Sequence, residues 1–168
     1  MKFMHINNES DMSQLKDSIY GNKDIFMLIY MEGCGPCNLV RPEWKKLENV
    51  LRKHKTNPKY KNVVIMDINK DILEKARTNI KSPSWFPTIT FVSKRGVIQE
   101  NFEESNIPNK NKEIDVFELW IKTKLHKRAL PTRRTRRTTK KIHSKWNTTR
   151  KAKRSIKRNH LTIARDYE

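Results

Sequence analysis

The sequence has little of what defines several protein classes. Its 168 residues include 2 Cys and 4 Gly, which excludes disulfide-rich scaffolds and Gly-repeat fibrous chains. The longest apolar run, residues 25–31, has seven residues, whereas a membrane-spanning helix needs about 20. Residues 1–9 turn polar and acidic before an apolar signal core can form. We therefore predict no transmembrane segment, no cleaved export signal and a cytoplasmic location.

Acidic residues are also scarce, and their distribution is uneven. The chain has 37 Lys+Arg against 18 Asp+Glu, a formal charge of +19. Residues 126–168 carry 16 Lys+Arg and 2 Asp+Glu, whereas residues 1–125 carry 21 and 16. The last segment is poor in apolar residues whose burial could offset chain entropy. We predict a folded domain over residues 1–125 and a basic tail over residues 126–168 that is disordered or marginally helical by itself.

The first 125 residues alternate between strand-like and helix-like patterns. Continuous apolar runs at residues 25–31 and 63–68 are typical of buried strands. Residues 88–92 and 97–102 flank a Lys-Arg-Gly turn, which predicts an antiparallel hairpin. Apolar residues at helical spacing lie between these runs, and a short helix is predicted over residues 71–78. The predicted order is β-α-β-α-β-α-β-β-α. This order indicates an α/β fold with a mixed central sheet.

Both cysteines lie in one motif, Cys34-Gly35-Pro36-Cys37, directly after a predicted strand and at the start of a predicted helix. A helix N-terminus favours a thiolate, so Cys34 is predicted as the nucleophile. Cys37 can then attack the mixed disulfide and release the reduced substrate. The alternatives are half of a zinc site or a structural disulfide. A structural zinc site normally takes four ligands, and the sequence has no second Cys pair or His cluster, so we predict no metal and no cofactor beyond the cysteine pair.

Three segments resemble the thioredoxin family, in particular single catalytic domains of the protein disulfide isomerase type. They are residues 30–37 followed by Pro42-Glu43-Trp44, residues 66–68, and residues 85–91. The resemblance implies a thioredoxin-like three-layer α/β/α sandwich with a central mixed sheet. It also implies a thiol–disulfide oxidoreductase that acts on disulfides of protein substrates.

The resemblance further implies that the Phe86–Pro87 peptide bond is cis and faces the cysteine pair. Such a bond would leave the Phe86 backbone free to pair with an extended substrate peptide beside Cys34. The alternative is a trans proline that opens an edge strand. The residues predicted to contact the substrate are Gly33, Gly35, Pro36, Trp85, Phe86 and Pro87.

Two departures from the family pattern affect this expectation. Gly33 replaces the tryptophan that usually precedes the first cysteine, and Trp85 either compensates in part or only packs against apolar neighbours. Leu28 stands where thioredoxins keep a buried acid. We therefore expect substrate release to depend on water or on Glu32, and thiol exchange to be slower than in a thioredoxin.

The predicted tail contains two basic blocks that could contact phosphate groups, with binding that weakens as salt rises. Their members are Arg133, Arg134, Arg136, Arg137, Lys140 and Lys141, and then Arg150, Lys151, Lys153, Arg154, Lys157 and Arg158. The alternative function is thus a nucleic-acid or other polyanion-binding adaptor with the folded domain as scaffold. The blocks also fit a nuclear-localisation signal, an anionic membrane surface or a solvated tail. A thioredoxin-like domain with such a tail resembles proteins of large DNA viruses, which would imply the host cytoplasm or the virion.

Overall fold

Five strands form one mixed sheet in the computed structural model, which describes residues 1–129. The strands are β1 (Lys2–Ile6), β2 (Asp24–Tyr30), β3 (Val63–Asn69), β4 (Thr88–Ser93) and β5 (Ile98–Asn101). Their spatial order is β1-β3-β2-β4-β5. The first three strands are mutually parallel, and β4 and β5 add antiparallel pairs. The predicted α/β class with a mixed sheet is confirmed.

Helices connect these strands in the predicted order. They are α1 (Met12–Tyr20), α2 (Gly35–Leu51), α3 (Lys70–Lys75) and α4 (Ile114–Ala129). No helix within residues 1–129 is long and apolar enough to cross a membrane. The last helix continues four residues past the predicted domain boundary at Leu125, and both basic blocks lie outside the described residues.

The central strand β2 is buried along its whole length, as its uninterrupted apolar run predicts. One face of the sheet packs against α2 and α4, and the other packs against α1 and α3. On the first face Phe26 meets Trp120 edge-on at 5.2 Å, and Trp44 meets Phe117 in the same way at 5.2 Å. These contacts bury large aromatic surfaces between the layers. The chain thus forms the expected three-layer thioredoxin-like sandwich.

The structure corrects two element boundaries. Helix α3 ends at Lys75, three residues before the predicted end, and Arg77 just beyond it has a φ of 48°, which is incompatible with a continuing helix. Strand β5 ends at Asn101 because Phe102 begins a one-turn 3₁₀ helix and is fully buried. Burial of its ring among the aromatic residues beneath α4, rather than strand pairing, decides the conformation at Phe102.

Candidate active site

The cysteine pair lies in the turn between β2 and α2. Gly33 has a φ of 73°, a left-handed conformation that favours glycine, and it turns the chain from the strand into the helix. Cys34 is the N-cap of α2, and its Sγ accepts a hydrogen bond from the backbone N–H of Cys37 at 3.2 Å. Gly35 and Pro36 form the start of the helix, where a proline leaves no helical hydrogen bond unmade. The predicted position of Cys34 at a helix N-terminus is confirmed.

The two cysteines are joined by a disulfide, with their Cα atoms 5.3 Å apart. Cys34 keeps 8% of its surface exposed, whereas Cys37 is 0% exposed. An incoming thiolate therefore reaches the disulfide from the side of Cys34. Because Cys37 is enclosed, Cys34 Sγ is the sulfur atom that its own Sγ can attack.

Apolar groups surround the disulfide. Tyr30 at the end of β2 forms one buried cluster with the two cysteines, and Phe86 packs against that cluster. The Phe86–Pro87 bond is cis, as the resemblance implies. Trp85 is 53% exposed, so it is not a core residue, and its carbonyl accepts a hydrogen bond from the Thr88 hydroxyl. Phe86 of the cis-proline loop therefore lies beside the cluster that contains the two sulfur atoms, and contact of the six predicted residues with a substrate stays a prediction.

Leu28, at the position of the buried acid of thioredoxins, is fully buried in β2 and offers no group that could transfer a proton. Glu32 is exposed, and one of its carboxylate oxygens accepts a hydrogen bond from the Asn69 amide at 3.4 Å. Its side chain is thus drawn toward the end of β3. The dependence of substrate release on water or on Glu32 stays a prediction.

A charged cluster beneath α2 was missed by the sequence analysis. Asp67 lies on β3 in register with Leu28 and is 1% exposed. One of its carboxylate oxygens shares a hydrogen bond with Nδ1 of His5 on β1. The other lies 3.8 Å from Nη2 of Arg41 on α2. The available signal was an acidic residue in the middle of an otherwise apolar strand.

Tyr30 connects this cluster to the disulfide. The Arg41 guanidinium stacks on the Tyr30 ring at 3.6 Å from its centroid, a favourable cation–π geometry. The Tyr30 hydroxyl donates a hydrogen bond to Oδ1 of Asn7 at 2.7 Å. Burial raises the pKa of Tyr30 above its ordinary value, although the Arg41 charge acts in the opposite direction. The phenol therefore stays protonated at neutral pH, and Arg41 supplies the positive charge on this side of the cysteines.

Comparison with known families finds a match over most of the described residues. The family model described as Thioredoxin matches residues 4–115. No curated protein sequence matches the chain.

Solved structures show the same fold at low sequence identity. The J-Trx1 fragment of ERdj5 matches with a TM-score of 0.52 and 13% identity, covering 72% of this chain and 50% of that one. Zinc-bound human ERp44 matches with a TM-score of 0.52 and 11% identity, over 73% and 31% of the two chains. The first two thioredoxin domains of Naumovozyma dairenensis Eps1p match with a TM-score of 0.50 and 15% identity, over 73% and 40%. The chain thus spans half or less of each of these structures, and the likeness shows the fold alone.

Proposed function

This chain belongs to the thioredoxin family, and from that membership we propose that it is a thiol–disulfide oxidoreductase acting on protein substrates through Cys34 and Cys37. The observation that carries the proposal is the bonded pair at the start of α2, with Cys34 toward the surface and Cys37 enclosed. A helix N-cap position and an N–H donor to Sγ both favour a thiolate at Cys34.

The proposed exchange proceeds through a mixed disulfide. In the reducing direction, the Cys34 thiolate attacks a substrate disulfide, and one substrate sulfur leaves as a thiolate. The Cys37 thiolate then attacks Cys34 Sγ, which forms the Cys34–Cys37 bond and breaks the bond to the substrate. Two electrons pass to the substrate, which ends with two thiols after protonation. The reverse sequence oxidises a substrate dithiol.

The surface around Cys34 suits an extended apolar peptide. Trp85 is half-exposed beside Phe86, and Met31 and Leu39 expose 40% and 77% of their surfaces on the segments that flank the pair. A Cβ atom at Gly33 would meet no atom within 4 Å, so space remains where relatives of this family usually place an aromatic ring. We propose that the peptide occupies this space and contacts Gly35, Pro36 and the cis-proline loop.

Reduction of insulin with dithiothreitol as the electron source tests the proposal. We expect catalysed turnover by the wild-type protein and none by Cys34→Ser, which lacks the nucleophile. The matched variant Cys37→Ser should attack substrates but accumulate mixed disulfides, which gel electrophoresis without reductant detects. A wild-type rate no higher than that of Cys34→Ser would reject the catalytic role.

We also propose that the tail binds polyanions, because 16 of the 37 Lys+Arg lie in residues 126–168. Each contact between a basic side chain and a phosphate releases a counterion, so affinity should fall steeply with salt. The test compares full-length protein with a full-length variant that carries Gln at the twelve basic-block positions. Equal nucleic-acid binding by the two proteins across a salt series would exclude the tail as the binding element.

A further inference from the structure

Arg41 lies on the same helix as Cys37, the cysteine that resolves the mixed disulfide in the proposed exchange. It follows Cys37 by four residues on α2, so both side chains project from the same side of the helix. Its guanidinium is fixed by two contacts from two strands, the Tyr30 ring of β2 and the Asp67 carboxylate of β3. Only 23% of its side chain is exposed. The positive charge is therefore held against the sheet, one helical turn from Cys37.

Asp67 brings the opposite charge to the same place. Its side chain is buried, and the oxygen that faces Arg41 makes no hydrogen bond within the described residues. Leu28, its neighbour in the strand pairing, contributes no charge. In a water-poor interior the field of a charge is less screened than at the surface. Both charges can therefore act on the sulfur atoms that share Tyr30 with Arg41.

We propose that Arg41 and Asp67 are opposed positioning residues for the second half of the exchange: the Arg41 cation stabilises the Cys37 thiolate, and the Asp67 carboxylate limits that stabilisation. This inference rests on the proposed oxidoreductase function and deepens it. The pair sets the fraction of Cys37 that is ready to attack the mixed disulfide at a given pH, and hence the rate of substrate release.

The step itself needs no further reactant. Cys37 gives its proton to solvent, and its thiolate attacks Cys34 Sγ of the mixed disulfide. The Cys34–Cys37 bond forms, the bond from Cys34 to the substrate breaks, and the substrate sulfur leaves as a thiolate that takes a proton from solvent. Two electrons move from the cysteine pair to the substrate, while Arg41 and Asp67 remain chemically unchanged.

Other titratable or charged groups face this region from each neighbouring element. They are His5 on β1, Tyr30 and Glu32 at the end of β2, Lys45 and Glu48 on α2, and Lys70 beside the Phe86 ring. Apart from Tyr30 they are exposed or half-exposed, so solvent screens their charges more strongly than those of the buried pair. Arg41 and Asp67 should therefore dominate the response of Cys37.

A purely structural role for the ion pair makes a different prediction. If the pair only fastened α2 to the sheet, removal of either partner would leave a buried charge unpaired and perturb the site in the same way. If the pair acts through its field, the two removals must have opposite effects on the ionisation of Cys37. The sign of the effect thus separates the two roles.

The experiment uses full-length Cys34→Ser protein, in which Cys37 is the one remaining cysteine. Thiolate absorbance gives the pH at which half of Cys37 is ionised, with Cys34→Ser/Cys37→Ser as the baseline for tyrosine absorbance. Adding Arg41→Met should make the Cys37 thiolate about tenfold less favourable, and adding Asp67→Asn should make it about tenfold more favourable. The variant with both changes should lie between them.

Arg41→Lys provides a second comparison that does not require Asp67→Asn to fold. Lysine keeps the charge but not the planar stack, so its midpoint should stay closer to that of the parent protein than to that of Arg41→Met. Midpoints that shift in the same direction in Arg41→Met and Asp67→Asn, or that do not shift at all, would overturn the inference. An Arg41→Lys midpoint equal to that of Arg41→Met would overturn it as well.

These midpoints do not depend on turnover, so the two proposals fail separately. A wild-type protein that does not reduce insulin would reject the oxidoreductase function, and opposite midpoint shifts would still support the charge effect on Cys37. A wild-type protein that reduces insulin but whose variants show unshifted midpoints would reject only the role of Arg41 and Asp67.

Discussion

The substitutions Gly33→Ala and Gly35→Ala test the turn between β2 and α2, because the two glycines flank Cys34 in the chain. Gly33 has a φ of 73°, whereas Gly35 begins α2 without a positive φ. A Cβ atom would meet nothing within 4 Å at either position. Neither variant should therefore lose stability through a steric clash. The difference between their free energies of unfolding then reports the cost of the left-handed backbone conformation at Gly33.

The expected magnitudes follow from the cost of the left-handed conformation. An alanine there is destabilised by about 1–2 kcal/mol, offset by about 0.4–1 kcal/mol because alanine also restricts the unfolded chain. Gly33→Ala should thus lower the free energy of unfolding by about 1 kcal/mol. Gly35→Ala should raise it by up to about 0.5 kcal/mol because alanine favours a helix.

Guanidinium unfolding of the oxidised full-length proteins, followed by tryptophan fluorescence, measures both values. The slope of the transition should be the same in the wild type and both variants, so that the midpoints alone report stability. Equal midpoints for the two variants would show that Gly33 does not adopt a left-handed conformation. The geometry described for the loop before Cys34 would then be wrong.

Three further substitutions test the layers that hold the site. Trp44→Phe removes the indole donor to a β3 carbonyl at 3.1 Å and should cost about 1 kcal/mol in chemical unfolding, with no loss expected if that bond is absent. Phe102→Ala empties a fully buried position and should cost about 3–5 kcal/mol, whereas a strand-end residue on the surface would cost far less. Burial raises the pKa of Glu118, but the Lys122 and Lys53 ammonium groups together outweigh this effect and hold the pKa below its ordinary value. Glu118→Gln should therefore lower stability at neutral pH, and the difference should disappear as acid protonates Glu118 in the wild type; a difference that persists in acid would contradict this.

The sequence predicted those parts of the fold whose signals are local. The apolar run of β2 and the motif that follows it place Cys34 at a helix N-terminus without any knowledge of distant contacts. Phe102 was wrongly assigned to a strand because its conformation depends on aromatic neighbours on α4. The end of α3 was also wrong, since the left-handed conformation of Arg77 leaves no mark in the apolar pattern.

The charged cluster could not be predicted for a related reason. His5, Arg41 and Asp67 come from β1, α2 and β3, and only the crossover order of the sheet brings them together. In the sequence, His5 and Arg41 each resemble ordinary surface residues. The acid at position 67 within an apolar strand was the one local sign that a buried polar group needs a partner. The boundary between domain and tail stays a prediction.

The unequal burial of the two sulfur atoms has a consequence for the lifetime of encounters. In the proposed exchange, any molecule that bonds to Cys34 lies next to the Cys37 sulfur. Because Cys37 is fully buried, no outside thiol can react with it first. Every mixed disulfide at Cys34 can therefore be resolved by Cys37 of the same protein. The reactivity of Cys37, rather than a property of the substrate, then sets the lifetime of the mixed disulfide. In that scheme, a substrate that reacts no further is released by Cys37 without a third molecule.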